Sequence, residues 1–239
     1  MVPFFVQINV PPPPPVILLY RKKRLQVFIS SLFDKMPERE RRYHPNIIIT
    51  GTPGCGKTSH AISIASQLGS PYEHISVSDA AKERDCIESY DEVLDTNVVD
   101  EDKLLDSLEE DLERGGILVD WHCCEVFPER LIDLVVVLRT ESSLLYERLK
   151  KRNYKDNKIQ ENLDCEIMEV ISQEASNSYV PEIVVELTSN SADEMDANVD
   201  RIVGWAENWV KDHKDGVSNE LQFKGTTQED KDDEFDEED

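Results

Sequence analysis

Asn46-Ile47-Ile48-Ile49-Thr50-Gly51-Thr52-Pro53-Gly54-Cys55-Gly56-Lys57-Thr58 is the stretch that decides the fold of this chain. Its opening run is continuously apolar, as expected of a strand covered by helices on both faces of a parallel sheet. Gly51 to Thr58 then satisfies G-x-x-x-x-G-K-[ST], and Lys57 to Leu68 reads as a helix closed by Gly69-Ser70-Pro71. A strand, a glycine-rich turn and a helix in that order make a phosphate-binding loop. The glycines let backbone N–H groups turn inward where a Cβ would obstruct them, and the helix start adds its positive end. Gly54, Cys55, Gly56, Lys57, Thr58 and Ser59 are therefore expected to hold the phosphates of ATP. Lys57 should reach the β- and γ-phosphates, and the Thr58 hydroxyl should ligate Mg²⁺.

Beyond this loop, short β-rich runs alternate with helical periods, which argues for βαβ units. Glu73–Val77 is a second strand, and Ser78-Asp79 caps a helix through Arg84. Asp100 starts an amphipathic helix with Leu104, Leu105, Leu108 and Leu112 on one face, closed by Arg114-Gly115-Gly116. Strands follow at Ile117–Asp120, Asp133–Arg139 and Ile183–Leu187, and helices at about 142–151, 157–178 and 192–210. Trp205 and Trp209, one turn apart in the last helix, read as core residues. The expectation is an α/β P-loop NTPase fold, with a five-stranded parallel sheet flanked by helices.

A phosphate loop needs a carboxylate at a neighbouring strand end to hold the metal and its water shell, and Asp120 fits that place. His122, two residues on, faces the same region and would orient a water or act as a base; the alternative is a structural histidine. Positive charge must also meet the transferring phosphoryl group. Arg148-Leu149-Lys150-Lys151-Arg152-Asn153-Tyr154-Lys155 is the densest basic stretch of the core, and Arg148 and Arg152 lie one helical turn apart. Its place after the fourth strand suits a mobile lid. Lys57, Asp120, His122, Arg148 and Arg152 are thus the catalytic candidates, Thr58 and Asp120 the metal ligands.

The chain's 239 residues carry a net charge of −24, unevenly spread. From Asp212 to Asp239 there are 12 acidic and 3 basic residues, so 212–239 is expected to be a disordered acidic tail, either solubilising or a lure for a basic partner. Such a chain is a poor non-specific binder of nucleic acid. The five cysteines form no C-x-x-C pair or zinc spacing, as in a reduced intracellular protein without disulfides. No apolar run approaches the roughly 20 residues of a membrane helix. Residues 1–35 hold Pro11–Pro15 and the basic cluster Arg21-Lys22-Lys23-Arg24, with none of the parts of a secretory signal. They are expected to lie outside the folded domain of residues 36–211, either as a disordered extension, whose basic cluster reads weakly as a nuclear address, or as a mis-assigned start with translation beginning at Met36.

These pieces together resemble one family. Gly51–Thr58 as G-T-P-G-C-G-K-T, Val119-Asp120-Trp121-His122, Phe127-Pro128-Glu129-Arg130 and Leu134–Arg139 carry the resemblance, with Leu145-Tyr146-Glu147-Arg148-Leu149 and Asn162–Ile167. The chain from about Pro45 to Lys211 is similar to the nuclear adenylate kinase isoenzyme six family, also called the coilin-interacting nuclear ATPase family. Its fungal members are ribosome-assembly factors. The resemblance implies a monophosphate-binding region at about Ser76–Val99 and a short lid at about Lys151–Glu161. It implies phosphotransfer between ATP and AMP beside a Mg²⁺-dependent ATPase activity, with Asp120 and His122 in the catalytic motif and Arg152 on ATP. It also implies a nuclear and cytoplasmic role in small ribosomal subunit maturation and pre-rRNA processing, through a small-subunit ribosomal protein on the pre-ribosomal particle. A hydrolytic assembly switch with little kinase activity is the alternative. The chain departs from the family at Arg152-Asn153-Tyr154, where members carry Arg-Gly-Tyr; asparagine tolerates a left-handed backbone better than most residues. The Asp-Gly-Phe-Pro-Arg element of metabolic adenylate kinases is missing, and Asp120-Trp121-His122 stands at that strand end instead.

Overall fold

A computed structural model describes residues 41–91 and 96–220. The described chain opens with β1 (Arg41–Arg42) and β2 (Ile47–Gly51), which runs through the phosphate loop into α1 (Lys57–Leu68). Gly69 ends α1 by donating its N–H to the Ala65 carbonyl at 2.9 Å. After β3 (Glu73–Ser76) and α2 (Val77–Glu83), β4 (Ile87–Asp91) and β5 (Thr96–Val99) pair antiparallel. Asp100 caps α3 (Glu101–Arg114), its carboxylate accepting the Lys103 N–H at 3.0 Å. Then come β6 (Ile117–Asp120), β7 (Leu134–Arg139), α4 (Ser142–Lys151), α5 (Asp156–Ile167) and α6 (Val170–Ser178). β8 (Val184–Thr188), α7 (Ala192–Asp212) and β9 (Val217–Ser218) complete it.

The main sheet is parallel throughout, in the order β3-β6-β2-β7-β8. The unbroken apolar run of β2 has a plain reason in the packing. Ile47 and Ile49 belong to one core with Ile64, Leu138, Leu145 and Val199, while Ile48 belongs to the other with Leu104, Leu108, Val119 and Val135. Successive side chains of a strand point to opposite faces, so a strand between two helical layers has no face left for polar residues. β2 is central, and the chain fills one side of it with β6 and β3 before crossing to β7 and β8. The carboxyl end of β2 is therefore the place where strand order reverses, the usual seat of a ligand in such sheets.

Three expectations need correction. The helix read as continuous over 157–178 is two helices, because Arg139 Nη2 takes the Glu166 carbonyl at 2.9 Å and Glu169 adopts φ +57°. That carbonyl would otherwise receive the next turn's N–H. Residues 76–99 hold the β4–β5 hairpin as well as the short helix, where the sequence suggested only strand and helix. The domain also outruns residue 211: α7 reaches Asp212, and β9 pairs antiparallel with β1, Arg41 opposite Ser218. The acidic tail placed from residue 212 therefore begins with eight or so residues held in the fold, Asn219 being 4% exposed. The expectations for residues 1–35 and for the chain beyond Glu220 lie outside the described residues. All five cysteines are free thiols, and among the described residues no helix is long and apolar enough to cross a membrane.

Candidate active site

The loop between β2 and α1 is closed by backbone bonds and by close contact with the layer beneath it. Cys55 donates its N–H to the Thr52 carbonyl at 3.1 Å. Gly54 stands at φ +102°, and a Cβ there would lie 2.8 Å from Leu145 Cδ1. Gly51 is tighter still, with Leu138 O at 2.5 Å from a would-be Cβ. Gly51 thus lets the loop lie directly on the backbone of β7, while Gly54 lets it lie on the Leu145 and Leu149 side chains of α4. Lys57 folds back over it, its ammonium donating to Gly51 O at 2.7 Å and Thr52 O at 3.2 Å. Burial there pushes the Lys57 pKa down to about 8.

Gly54, Gly56, Lys57, Thr58 and Ser59 line a cleft of about 580 Å³, at the carboxyl ends of β2 and β6. Cys55 does not: its side chain is fully buried, turned to Glu166, and burial with the Glu166 charge raises its thiol pKa. Of Cys55 only the backbone remains to meet a phosphate. Across the loop, the Thr58 hydroxyl donates to Asp120 Oδ1 at 3.2 Å. The structure thus brings both expected metal ligands together as hard oxygen donors of the kind magnesium takes. Among the described residues no group of three or more His, Cys, Asp or Glu side chains is arranged to hold a metal ion. Thr58 and Asp120 are the residues here that could hold a magnesium ion.

Asp120 has a second partner that the sequence reading missed. His74 Nε2 lies 2.5 Å from Asp120 Oδ2. β3 and β6 pair so that His74 stands opposite Leu118 and Ser76 opposite Asp120, which puts His74 beside the aspartate on the same face. Only the strand register, not the sequence distance of the two residues, could have signalled this pair.

His122 opens onto the cleft just past the end of β6, its ring edge-on to Trp121 at 5.4 Å between centroids. Desolvation, then the charges of Lys57 and Lys158, push its pKa down to about 4, so at neutral pH the imidazole is uncharged. Arg152, at the C-terminal end of α4, also lines the cleft, followed by Asn153 at φ +59° and by Tyr154, Lys158 and Asn162. The left-handed residue that the asparagine was expected to accommodate is therefore present. Arg148 is placed differently from Arg152. Its guanidinium donates to Gly54 O and Thr140 Oγ1, both at 3.3 Å, and to Asn190 O at 3.1 Å, and it does not line the cleft. It braces the phosphate loop from behind.

A second carboxylate lies within the Asn162–Ile167 stretch that carried the resemblance, but the sequence reading gave it no role. Glu166 in the last turn of α5 is 4% exposed and accepts hydrogen bonds from Thr52, Thr140 and Arg139. Nothing in its sequence neighbourhood distinguishes it from the exposed acids around it.

A profile for an AAA domain matches residues 47–169. The chain is 66% identical over 194 residues to the adenylate kinase isoenzyme 6 homolog HBR1 of Candida albicans, covering 78% of each chain. It is 55% identical over 194 residues to the adenylate kinase isoenzyme 6 homolog FAP7 of Saccharomyces cerevisiae, covering 81% of this chain and 97% of that one. Among solved structures, a shikimate kinase from Acinetobacter baumannii superposes with a TM-score of 0.49 at 19% identity, over 69% of this chain and 94% of that one.

Proposed function

The chain belongs to the adenylate kinase isoenzyme 6 family, and from that membership we propose that it transfers the γ-phosphoryl group of ATP to AMP, giving two ADP, with a magnesium-dependent ATPase activity at the same site. The observation that carries this reading is the reach of the cleft. It runs from Lys57 and Thr58 past Asp120 and His122 to Ser78 and Asp79 of α2 and Thr96 of β5. A donor triphosphate on the loop and an acceptor phosphate beneath α2 can therefore meet over Asp120.

Magnesium, when bound, offsets the charge of the phosphate oxygens. The chain's own groups do the rest. Lys57 exchanges two backbone carbonyls for phosphate oxygens. Arg152 stands at the start of the lid, where a short rotation brings its guanidinium over the cleft. Lys158 and Asn162 on α5 form the wall that excludes water once the lid is down. Asp120 is held from two sides, by Thr58 and His74, so its carboxylate needs no reorganisation when the metal arrives.

The place of His122 on the cleft, just past Asp120, favours hydrolysis as the second reading. An imidazole of low basicity orients a water by accepting its hydrogen bond rather than by carrying off its proton. A role in small ribosomal subunit maturation and pre-rRNA processing belongs to the same proposal. The net charge of −24 supports it, since it suits a basic ribosomal protein and disfavours direct contact with RNA phosphates. The test is ADP production by the purified protein in Mg²⁺-ATP, with and without AMP, then with a basic small-subunit ribosomal protein added. Strong acceleration by AMP, with two ADP formed for each AMP consumed, supports the kinase. A rate indifferent to AMP but changed by the ribosomal protein overturns it in favour of the hydrolytic switch.

A further inference from the structure

Glu166 joins three separate pieces of the chain. Its Oε2 accepts the Thr52 hydroxyl at 2.5 Å and lies 3.8 Å from the Cys55 thiol, both in the phosphate loop. Its Oε1 accepts the Thr140 N–H at 3.0 Å and Arg139 Nε at 2.9 Å, at the end of β7. The residue itself belongs to α5, which begins just beyond Arg152-Asn153-Tyr154 and gives Lys158, Asn162 and Cys165 to the cleft wall. Glu166 is not part of that wall. Whatever it does to a bound nucleotide passes through the loop, and the Thr52 carbonyl is also a resting partner of Lys57.

We infer that Glu166 is a positioning residue for the triphosphate. By holding the Thr52 hydroxyl it fixes the curvature of the loop, and by sitting on α5 it ties that curvature to the helix that carries the lid. A buried carboxylate is restrictive in this way. Each of its oxygens is already shared between partners, and a shift of the loop would leave charge without a donor in a dry site. The loop thus holds its phosphate-receiving shape before nucleotide arrives, and movement of α5 is felt there. The inference rests on the proposed function only in requiring that the loop receive ATP phosphates.

The alternative is a carboxylate that merely staples α5 to β7 through Arg139, and substitution at Thr52 separates the two. Thr52→Val removes the hydroxyl while leaving the Glu166–Arg139 pair and the residue's shape intact; Glu166→Gln removes the charge. The measurement is calorimetric titration of each single variant and the double variant with Mg²⁺ and a β,γ-imido ATP analogue, without AMP. Each single variant should bind about tenfold more weakly, the cost of losing a hydrogen bond to a charged group. The double variant should be no weaker than the worse single one, because both remove the same link. The KM for AMP should stay within about twofold, since uniform loosening would move it as well. Thr52→Val binding like wild type, or a double variant whose loss equals the product of the two, overturns the inference. Thr52→Val decides alone if Glu166→Gln fails to fold. Failure of the wild type to bind the analogue would fell the nucleotide reading itself, and this inference with it.

Discussion

Lys57 holds its ammonium between two backbone carbonyls at the cleft, and desolvation there lowers its pKa from 10.5 to about 8, with the nearby Arg152 charge adding to the effect. The sign follows from comparing states. Between pH 8 and 10.5 the unfolded chain holds a proton that the folded chain has given up, so this group's contribution to stability rises with pH across that window. Binding reverses the shift, because an anionic phosphate beside the ammonium favours the charged form. Titration of ATP in EDTA at pH 8 should therefore draw in on the order of half a proton, seen as a binding heat that varies with the ionisation enthalpy of the buffer. Lys57→Met should lose that dependence; a wild-type heat identical in all buffers would refute the assignment. At His122 the lowered pKa predicts an uncharged ring down to about pH 5 in the nucleotide-free protein, so kcat/KM should show no acid limb near 6.5 that is missing from His122→Ala. If the ring orients the attacking water by accepting its hydrogen bond, His122→Ala should slow ATP hydrolysis by about 10²-fold, the cost of a misaligned reactant. An unchanged rate would make the residue structural.

Elements whose determinants are local were legible in the sequence: β2 from its apolar run, α1 from the glycine and lysine pattern, α3 from its Asp100 cap and leucine face. Elements whose determinants lie far away were not. The break between α5 and α6 depends on Arg139, which reaches across from β7 to take the Glu166 carbonyl and the Glu169 carboxylate. The β1–β9 pair joins residues at opposite ends of the described chain, and no local pattern announces it. The site divides along the same line. The loop, Asp120 and Arg152 could be read from motif and strand end, whereas His74 needed the β3–β6 register and Glu166 the whole tertiary fold. Arg148 was expected on the same helical face as Arg152, but Arg152 caps α4 and lines the cleft while the Arg148 guanidinium supports the loop. The lid shows how one local conformation carries over when the residue changes. Asn153 ends α4 in the left-handed region at φ +59°, exposed to solvent. Asn153→Gly should be nearly neutral in urea unfolding. Asn153→Val should cost about 1–2 kcal/mol, the penalty for a branched side chain in that region. It should also raise the KM for ATP through the neighbouring Arg152. Equal stability of the two variants would show that the lid can relax out of the left-handed turn.

The molecule has two chemically different ends, and they should fail independently. At the carboxyl ends of the strands lies the cleft, whose polar groups are arranged around a ligand. At the amino ends, Arg42 is 2% exposed and grips Asp133 with two bonds, Nε to Oδ2 at 3.0 Å and Nη2 to Oδ1 at 2.9 Å. Its third contact goes to Asn219 Oδ1 at 2.8 Å, while Asn219 donates to Glu113 O at 2.9 Å and accepts from Arg130 at 2.6 Å. Asp133 in turn receives the Asn46 N–H at 2.9 Å, directly before β2. This network closes the bottom of the sheet with residues from both ends of the domain. Removing one partner of such a pair leaves a buried charge uncompensated, so Arg42→Met should cost about 3–5 kcal/mol. Cutting the chain after Asp212 removes β9 and Asn219 together and should lower the melting temperature markedly. Cutting after Glu220 keeps every bond just named and should leave it unchanged, although it deletes most of the acidic run. Because none of these groups reaches the cleft, kcat measured well below the transition should match wild type in both truncations. Calorimetric melting of the two truncations beside the full chain, with turnover at 20 °C, tests both statements. Equal melting temperatures would show that the β1–β9 clasp contributes nothing to stability. A lower kcat in the folded shorter form would show that the two ends of the sheet are coupled.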